Sequence, residues 1–348
     1  SLSKYKKGLV SIGYHNDDIG RLSRPYLDSK KFSAQENEVI RAVRRVVARN
    51  PEQALQILEK KENRNILNST AYDALRGRIA ESYYFNGQPE KAYALATVSA
   101  KRSKEQVPTA AWIAGLTSWR YKKYLDAAVY FEITAKSERS SAWMSSAGAY
   151  WAARSYLRGR KPNNVGKWLR KATENPRSFY GIIALKALGM EHTKFNWDIP
   201  RLNDTKVRAV TAISAGKRAI ALMDAKKYDY AEMELKQVDP RASKIVQETM
   251  MAVAHRIGAP NFEMRLGSGL RTLNGNLYDA ALYPDAPWLA ESEYIVDKSL
   301  VHAFIRQESK FDAAVVNRRS GAIGLMQLMP RTARGVARKM NLPNSRRD

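Results

Sequence analysis

The sequence predicts an all-α protein built mainly from paired helices. From about residue 36 onward, Ala, Leu, Lys, Arg and Glu dominate the chain, and these residues favour helices. The alternation of polar and β-branched residues that marks strands is scarce. A weak internal repeat runs through the first half of the chain. Together, these three observations predict helical hairpins that stack into a superhelix, or solenoid.

The internal repeat is carried by small residues that follow a turn. Each copy has a turn, an acidic residue and then an alanine, which falls at Ala54, Ala92 and Ala128. The intervals of 38 and 36 residues between these alanines are close to the period of helix-hairpin repeats. Because the repeat is degenerate, we expect a tetratricopeptide-like superhelix, and we assign it to residues 1–190.

Two breaks divide the rest of the chain. A glycine and a polar run end the superhelical domain. Helical periodicity then returns over residues 206–256, which predicts a helical linker domain at 191–283. Residues 283–288 contain two prolines and cannot form a continuous helix, so we place the last domain at 284–348.

The composition limits the class of protein. Apolar residues make up 44% of the chain, which indicates a globular protein rather than a disordered one. Lys and Arg number 59 against 34 Asp and Glu, and the net charge of +25 favours polyanions: nucleic acid, an anionic membrane surface or an acidic polymer such as the cell wall. On charge alone, nucleic acid would rank first. No long apolar run predicts a transmembrane helix.

Metal and cofactor sites are not expected. The chain has no cysteine, which excludes disulfides and thiolate ligands, and its four histidines show no metal-ligand spacing. Aromatic residues cluster between residues 112 and 180. They are candidates for stacking platforms that bind sugar or bases, but core packing between helices is the favoured interpretation.

The most informative residue is Glu308. Val301, Phe304 and Ile305 fall at helical spacing, and Glu308 continues their apolar stripe. An isolated glutamate is usually a solvated helix residue, but a carboxylate on an apolar face tends to keep its proton. Such an acid is what general-acid cleavage of a glycosidic bond requires. The glycine-punctuated segment that follows is able to fold back over the helix end and supply polar groups to a ligand.

A family resemblance rests on these residues. The pattern Gln-Glu-Ser-x-Phe at 307–311, followed by Gly-Ala-x-Gly-Leu-Met-Gln-Leu-Met-Pro-x-Thr-Ala at 321–333, resembles the start of the catalytic domain of soluble lytic murein transglycosylases. Helix pairs within 111–131 and 150–181 resemble the superhelical domain of the same family. The resemblance implies that residues 284–348 form the first part of a lysozyme-like α domain.

The resemblance also implies an activity. Family members cleave the β-1,4 bond between N-acetylmuramic acid and N-acetylglucosamine in peptidoglycan and leave 1,6-anhydromuramyl ends. One glutamate, here Glu308, acts first as the acid and then as the base. The muramyl C6 hydroxyl is the nucleophile, so no second carboxylate is needed, which departs from the usual two-carboxylate glycosidase. Asp312 therefore receives no catalytic part, and no cofactor or metal is implied.

Further site residues follow from the same resemblance. Ser309 would support the helix end, and Gln327 and Met329 would line the substrate cleft. Core packing is an equal alternative for Met329. The loop after Phe311 is one residue longer than the usual family spacing, so the family's loop serine corresponds to Ser320 or to Asn317.

The resemblance sets expectations for extent and location. The family's catalytic domain continues well beyond Ala333, so we expect a chain that ends at Asp348 to show weak or no turnover. The chain begins without Met, which suggests a signal peptide already removed and a periplasmic location. Peptidoglycan glycan strands are the expected partners, cell-wall proteins are further candidates, and nucleic acid is not expected. Two rivals remain: a non-enzymatic scaffold that holds protein partners, and a basic nucleic-acid-binding solenoid.

Overall fold

A computed structural model of the chain describes residues 27, 32–190, 195–239, 242–270, 272, 275–286, 296–318 and 320–342. The chain divides into two compact units, 1–193 and 194–348. The described residues contain 18 α-helices and no strand, apart from isolated antiparallel bridges in the last segment. The prediction of an all-α protein is therefore confirmed.

Ten helices make up the described part of the first unit. They are α1 (Ala34–Val46), α2 (Pro51–Glu59), α3 (Lys61–Ile66), α4 (Ser69–Phe85), α5 (Pro89–Ser103), α6 (Pro108–Arg120), α7 (Tyr124–Lys136), α8 (Ala142–Arg158), α9 (Val165–Ala172) and α10 (Phe179–Ala187). From α4 to α9, each helix packs mainly against its neighbours in chain order, and α10 packs against both α8 and α9. This sequential packing is the arrangement of a helical-hairpin solenoid.

One turn geometry recurs between the paired helices. A residue with positive φ follows the first helix at Gly87, Lys122 and Arg160. The next backbone N–H donates to the carbonyl five residues earlier, at 2.9 Å in all three turns. This is the Schellman way of ending a helix. Lys226 and Gly258 form the same turn in the second unit, so the hairpin repeat recurs there.

Small residues let the paired helices approach closely. Ala54, Ala92 and Ala128 are fully buried, as the repeat predicted. At Gly148 in α8, a Cβ atom would lie only 2.8 Å from the backbone nitrogen of Ala135 and the carbonyl oxygen of Phe131 in α7. The contact between α7 and α8 therefore depends on the missing side chain.

The aromatic cluster is mostly core. Trp112, Tyr130, Phe131 and Trp168 are at most 6% exposed. The rings of Trp112 and Phe131 lie 5.3 Å apart. Core packing is thus confirmed for these residues, whereas Phe179 remains 49% exposed.

A buried ion pair joins α4 to α5. Asp73 is fully buried and accepts two hydrogen bonds from the Arg102 guanidinium, at 2.6 and 2.8 Å. The Ser103 hydroxyl donates a third at 2.5 Å. Satisfying both carboxylate oxygens in this way offsets much of the cost of removing the charge from water.

The second unit has eight described helices. They are α11 (Asp204–Thr211), α12 (Ser214–Asp224), α13 (Tyr228–Leu235), α14 (Lys244–Arg256), α15 (Pro260–Gly269), α16 (Asp279–Leu282), α17 (Lys298–Glu308) and α18 (Pro330–Lys339). Their main core lies among α11–α16. A smaller core contains Met264, Ala286, Ile305 and Phe311. Because three of these four residues follow position 283, we keep the boundary there as a proposal.

Among the described residues, no helix is both long enough and apolar enough to span a bilayer.

Candidate active site

Glu308 is the last residue of α17. The helix ends there because Ser309 takes the cap position, where its hydroxyl donates to the Ile305 carbonyl at 3.0 Å. Lys310 and Phe311 then adopt positive φ values of 55° and 64°. Two consecutive left-handed residues turn the chain sharply away from the helix axis. The Ser309 hydroxyl is thus bonded to the last turn of α17, and its part in the catalytic site stays a prediction.

The turn after Glu308 is fixed to the rest of the unit. The Phe311 ring is buried in the small core beside Met264 and Ala286. The side-chain amide of Asn261 in α15 donates to the Lys310 carbonyl at 2.8 Å. The backbone that carries the carboxylate is thus anchored on both sides of the turn.

The prediction that apolar side chains surround Glu308 is wrong for the described residues. Ile305 is 1% exposed, but Phe304 is 47% exposed and Glu308 is also exposed. The helix packs through the side that carries Ile305, while the side with Leu300 and Phe304 has no cover among these residues. The apolar stripe is therefore split between a covered half and an open half, and Glu308 continues the open half.

The glycine-punctuated segment folds back on itself. Ile323 forms antiparallel bridges with both Val316 and Leu328. Gly321 and Gly324 have φ values of 74° and 77°, which residues with a side chain seldom adopt. The motif's glycines are thus explained by the turns that this double bridge requires.

Gln327 stabilises the same turn. Its side-chain nitrogen donates to the Val315 and Gly324 carbonyls, at 3.2 and 3.1 Å. Its role in lining a cleft stays a prediction, and the amide nitrogen is already engaged. Met329, which precedes α18, is 39% exposed, and its role in lining a cleft also stays a prediction.

The two alternatives for the loop serine lie in one turn. The Asn317 side-chain oxygen accepts from the Ser320 amide at 3.2 Å, and the Ser320 hydroxyl accepts from the Ala322 amide at 3.3 Å. Both residues are exposed, so the choice between them stays open. Asp312 closes a local turn by accepting from the Ala314 amide at 3.0 Å.

All residues of helix α18 except Pro330 and Ala337 are exposed. Arg331, Arg334 and Arg338 share one side by helical spacing, and Val336 and Met340 share another. No residue of this helix is buried. The helix therefore offers a basic stripe to solvent. Other basic or motif-flanking residues of the sequence lie outside the described residues, namely Trp288, Arg319, Arg346 and Arg347.

Sequence reasoning missed a cavity beside α17. It has a volume of about 590 Å³. The side chains that line its wall include two aromatic and four polar or charged ones: Trp197, Tyr283, Asp285, Lys298, His302 and Arg306. The spacing of Lys298, His302 and Arg306, four residues apart, was a visible signal for one polar helix face. The contribution of Trp197 had no such signal.

Comparison with known proteins identifies the last segment. Residues 288–348 match the Transglycosylase SLT domain. The fold resembles that of the lytic transglycosylase Slt of Pseudomonas aeruginosa, solved as an inactive mutant, with a TM-score of 0.63 and 19% identity over 88% of this chain and 48% of that one. It also resembles the 70-kDa soluble lytic transglycosylase of Escherichia coli, with a TM-score of 0.60 and 19% identity over 87% and 47% of the two chains.

These similarities define a class. The molecule is an α-helical solenoid protein that carries a Transglycosylase SLT domain segment. The resemblance to soluble lytic murein transglycosylases, drawn from residues 307–333, is thereby confirmed. At 19% identity, the structural similarity itself establishes the shared fold, and the chain spans about half the length of the two solved proteins.

Proposed function

We propose that this protein is a peptidoglycan lytic transglycosylase that cleaves the bond between N-acetylmuramic acid and N-acetylglucosamine. The observation that carries the proposal is the exposed Glu308 at a sharply ended, anchored helix within the segment that matches the Transglycosylase SLT domain. Glu308 would be the one acid–base group of the protein, and the nucleophile would come from the substrate itself. The products would therefore carry 1,6-anhydromuramyl ends.

Glu308 would transfer protons in both halves of the reaction. As an acid, it gives its proton to the glycosidic oxygen as the bond to the anomeric carbon breaks. As a base, it takes the proton of the C6 hydroxyl, whose oxygen then bonds to the same anomeric carbon. The carboxyl group ends the cycle protonated, as it began. None of the described residues forms a hydrogen bond or ion pair with the carboxylate, so it is available to a substrate.

The apolar side chains around the motif support a role in excluding water. Phe304 precedes Glu308 by one helical turn, and it is 47% exposed. Met326 and Leu328 of the folded-back segment are 41% and 43% exposed. A glycan strand that covered such side chains would remove water from the site and strengthen the hydrogen bond from the carboxyl group to the glycosidic oxygen.

The other motif residues would position the substrate. Ser309 fixes the backbone beside the acid, and Ser320, or Asn317 in its place, would offer a polar group from the loop. Gln327 would hold the turn that presents Met329. The periplasm follows as the proposed location because peptidoglycan is the proposed substrate, and the basic stripe of α18 would attract acidic groups of the wall. Cell-wall proteins stay candidate partners, and nucleic acid is not expected.

The decisive test is Glu308→Gln in the protein at its natural length. Glutamine keeps the shape and hydrogen-bonding capacity of the side chain but cannot transfer a proton, so release of anhydromuropeptides from sacculi should fall by about 10² or more. Binding to sacculi should stay nearly unchanged. The inactive form of the Pseudomonas aeruginosa relative, in which glutamine replaces a glutamate, agrees with this expectation.

Asp312→Asn is the matched control. It makes the same chemical change four residues further on and keeps the oxygen that the Ala314 amide needs. The control should retain activity. Mass spectrometry of the products separates the outcomes: reducing ends would mean hydrolysis, and full activity of Glu308→Gln would remove Glu308 from the mechanism. Binding of DNA in place of sacculi would favour the nucleic-acid alternative.

A further inference from the structure

The cavity beside α17 combines an open aromatic face with fixed polar groups. Its volume of about 590 Å³ lies within the range of small-molecule sites. Part of its wall comes from α17, and the rest comes from residues near 197 and from 283–285. Residues from distant parts of the sequence thus meet in one concave site within the second unit.

The aromatic part of the wall is preorganised. The Trp197 ring is 60% exposed, yet it packs at 5.6 Å from the Phe195 ring and at 6.4 Å from the Tyr283 ring. The guanidinium of Arg306 lies 4.7 Å from the centre of the Tyr283 ring. An exposed indole that is held by neighbouring rings offers a flat apolar surface at a low entropy cost.

The polar part of the wall is an ion-pair cluster around Asp285. Lys298 Nζ and His302 Nε2 lie 3.1 and 3.2 Å from the same carboxylate oxygen. Burial, the largest single contribution, raises the pKa of Asp285, but the Lys298 and His302 contacts together outweigh it and lower the pKa. The carboxylate therefore carries its charge. Because 68% of the Asp285 side chain is exposed, it can accept hydrogen bonds from the hydroxyl groups of a ligand.

The cavity also has capacity for an anion. Arg306 Nε donates to the Leu282 carbonyl at 2.9 Å, which fixes the side chain. No hydrogen bond to the described residues occupies its two terminal amino groups, which have the fork geometry that pairs with a carboxylate.

The cavity and Glu308 lie on opposite faces of α17. Glu308 follows Arg306 by two positions along the chain, which corresponds to a rotation of about 200° around a helix. Glu308 could therefore not reach the glycosidic bond of a sugar that is bound in the cavity. Occupancy of the cavity would hold a ligand without taking part in the chemical step.

We propose that this cavity is a second, non-catalytic saccharide site for a hexopyranose that carries a free carboxylate. The apolar face of the sugar ring stacks on Trp197, ring hydroxyls donate to Asp285, and the carboxylate pairs with Arg306. This inference rests on the proposed function, because a glycan strand with free muramyl carboxylates is what would supply such a sugar.

The test uses the whole chain and a binding readout that needs no cleavage. The probe is a peptide-free oligosaccharide of alternating N-acetylglucosamine and N-acetylmuramic acid, and a chitin oligosaccharide of equal length lacks the carboxylate. Trp197→Phe assigns the Trp197 indole N–H among the seven tryptophan signals in a ¹H–¹⁵N spectrum. The carboxylated probe should shift this signal, and Trp197→Ala should weaken its binding by about three- to tenfold.

Arg306→Lys keeps the charge but removes the fork, so it should weaken binding of the carboxylated probe and leave the chitin oligosaccharide unaffected. Arg265→Lys is the matched control, because Arg265 also lies over a ring, 5.7 Å from that of Phe262, and outside the cavity wall. Should Arg306→Lys fail to fold, Ser299→Trp fills the cavity from an exposed helix position and should block binding.

Three results would overturn the inference. They are equal binding of the chitin oligosaccharide, a Trp197 shift caused instead by a single-stranded oligonucleotide, and binding of the carboxylated probe that leaves the Trp197 signal in place. These outcomes are separate from the proposed function. Cleavage that depends on Glu308 without any effect at Trp197 would refute only this site, and a Trp197 shift in a protein that never cleaves sacculi would refute only the activity.

Discussion

The solenoid helices and the motif-bearing segment at 296–342 use similar apolar residues in opposite ways. In α6, ten of 13 residues are buried, whereas α18 has no buried residue. The paired helices cover one another, so their aromatic residues become core. The motif segment is held by only a few buried residues, such as Ile305 and Phe311, and leaves the rest of its apolar side chains open. This difference separates a region whose side chains form a core from one that leaves apolar and basic side chains exposed.

The largest expected effect contrasts two phenylalanines on helices. Phe131 in α7 is fully buried, so Phe131→Ala should reduce the free energy of unfolding by about 3–5 kcal/mol. Phe304→Ala in α17 should cost less than about 1 kcal/mol, because its side chain is half exposed. Urea unfolding followed by circular dichroism measures both. Equal losses would show that the face of Phe304 is as well packed as the solenoid.

A smaller effect contrasts two helical glycines. Gly148→Ala should destabilise the protein by about 1–3 kcal/mol, because the new methyl group would press against the α7 backbone. Gly335 in α18 has no atom near its absent Cβ, so Gly335→Ala should instead stabilise that helix by about 0.5–1 kcal/mol. Hydrogen exchange in each helix reports the two changes. Destabilisation at Gly335 would mean that α18 is packed after all.

A pH-dependent effect concerns a buried carboxylate near the small core. Glu263 in α15 is 2% exposed, and burial raises its pKa to about 7 despite the His255 nitrogen 3.1 Å away. As the pH rises from the ordinary value of 4.5 toward 7, the unfolded chain loses this proton before the folded chain does, so stability falls.

Glu263→Gln removes this dependence. Relative to the wild type, the variant should be more favoured at pH 8 than at pH 5, by about 2–3 kcal/mol, since the pKa of Glu263 rises from 4.5 to about 7 on folding. Urea unfolding at the two pH values measures the difference. If the stability difference between the variant and the wild type were the same at both pH values, Glu263 would have the same pKa in the folded and unfolded chains.

Much of the fold was predictable because its signals are local. The positions of Ala54, Ala92 and Ala128 in their hairpins follow from short-range turn and helix preferences, and all three are buried. A helix end near Glu308 was also expected, since the family resemblance assigns Ser309 the support of that end. The roles of Glu308, Ser320, Gln327 and Met329 in catalysis and binding stay predictions.

The sequence by itself determined the helices, their pairing and the family motif, because periodicity, capping and turn chemistry act over a few residues. Only the tertiary structure decided which side of α17 is covered. Ile305 lies against Met264, while Phe304 and Glu308 face outward, a choice that depends on residues some 40 positions away. It also decided that Trp197 meets Asp285 and Arg306 in one cavity. Burial and juxtaposition depend on long-range packing, and no local pattern carries that information.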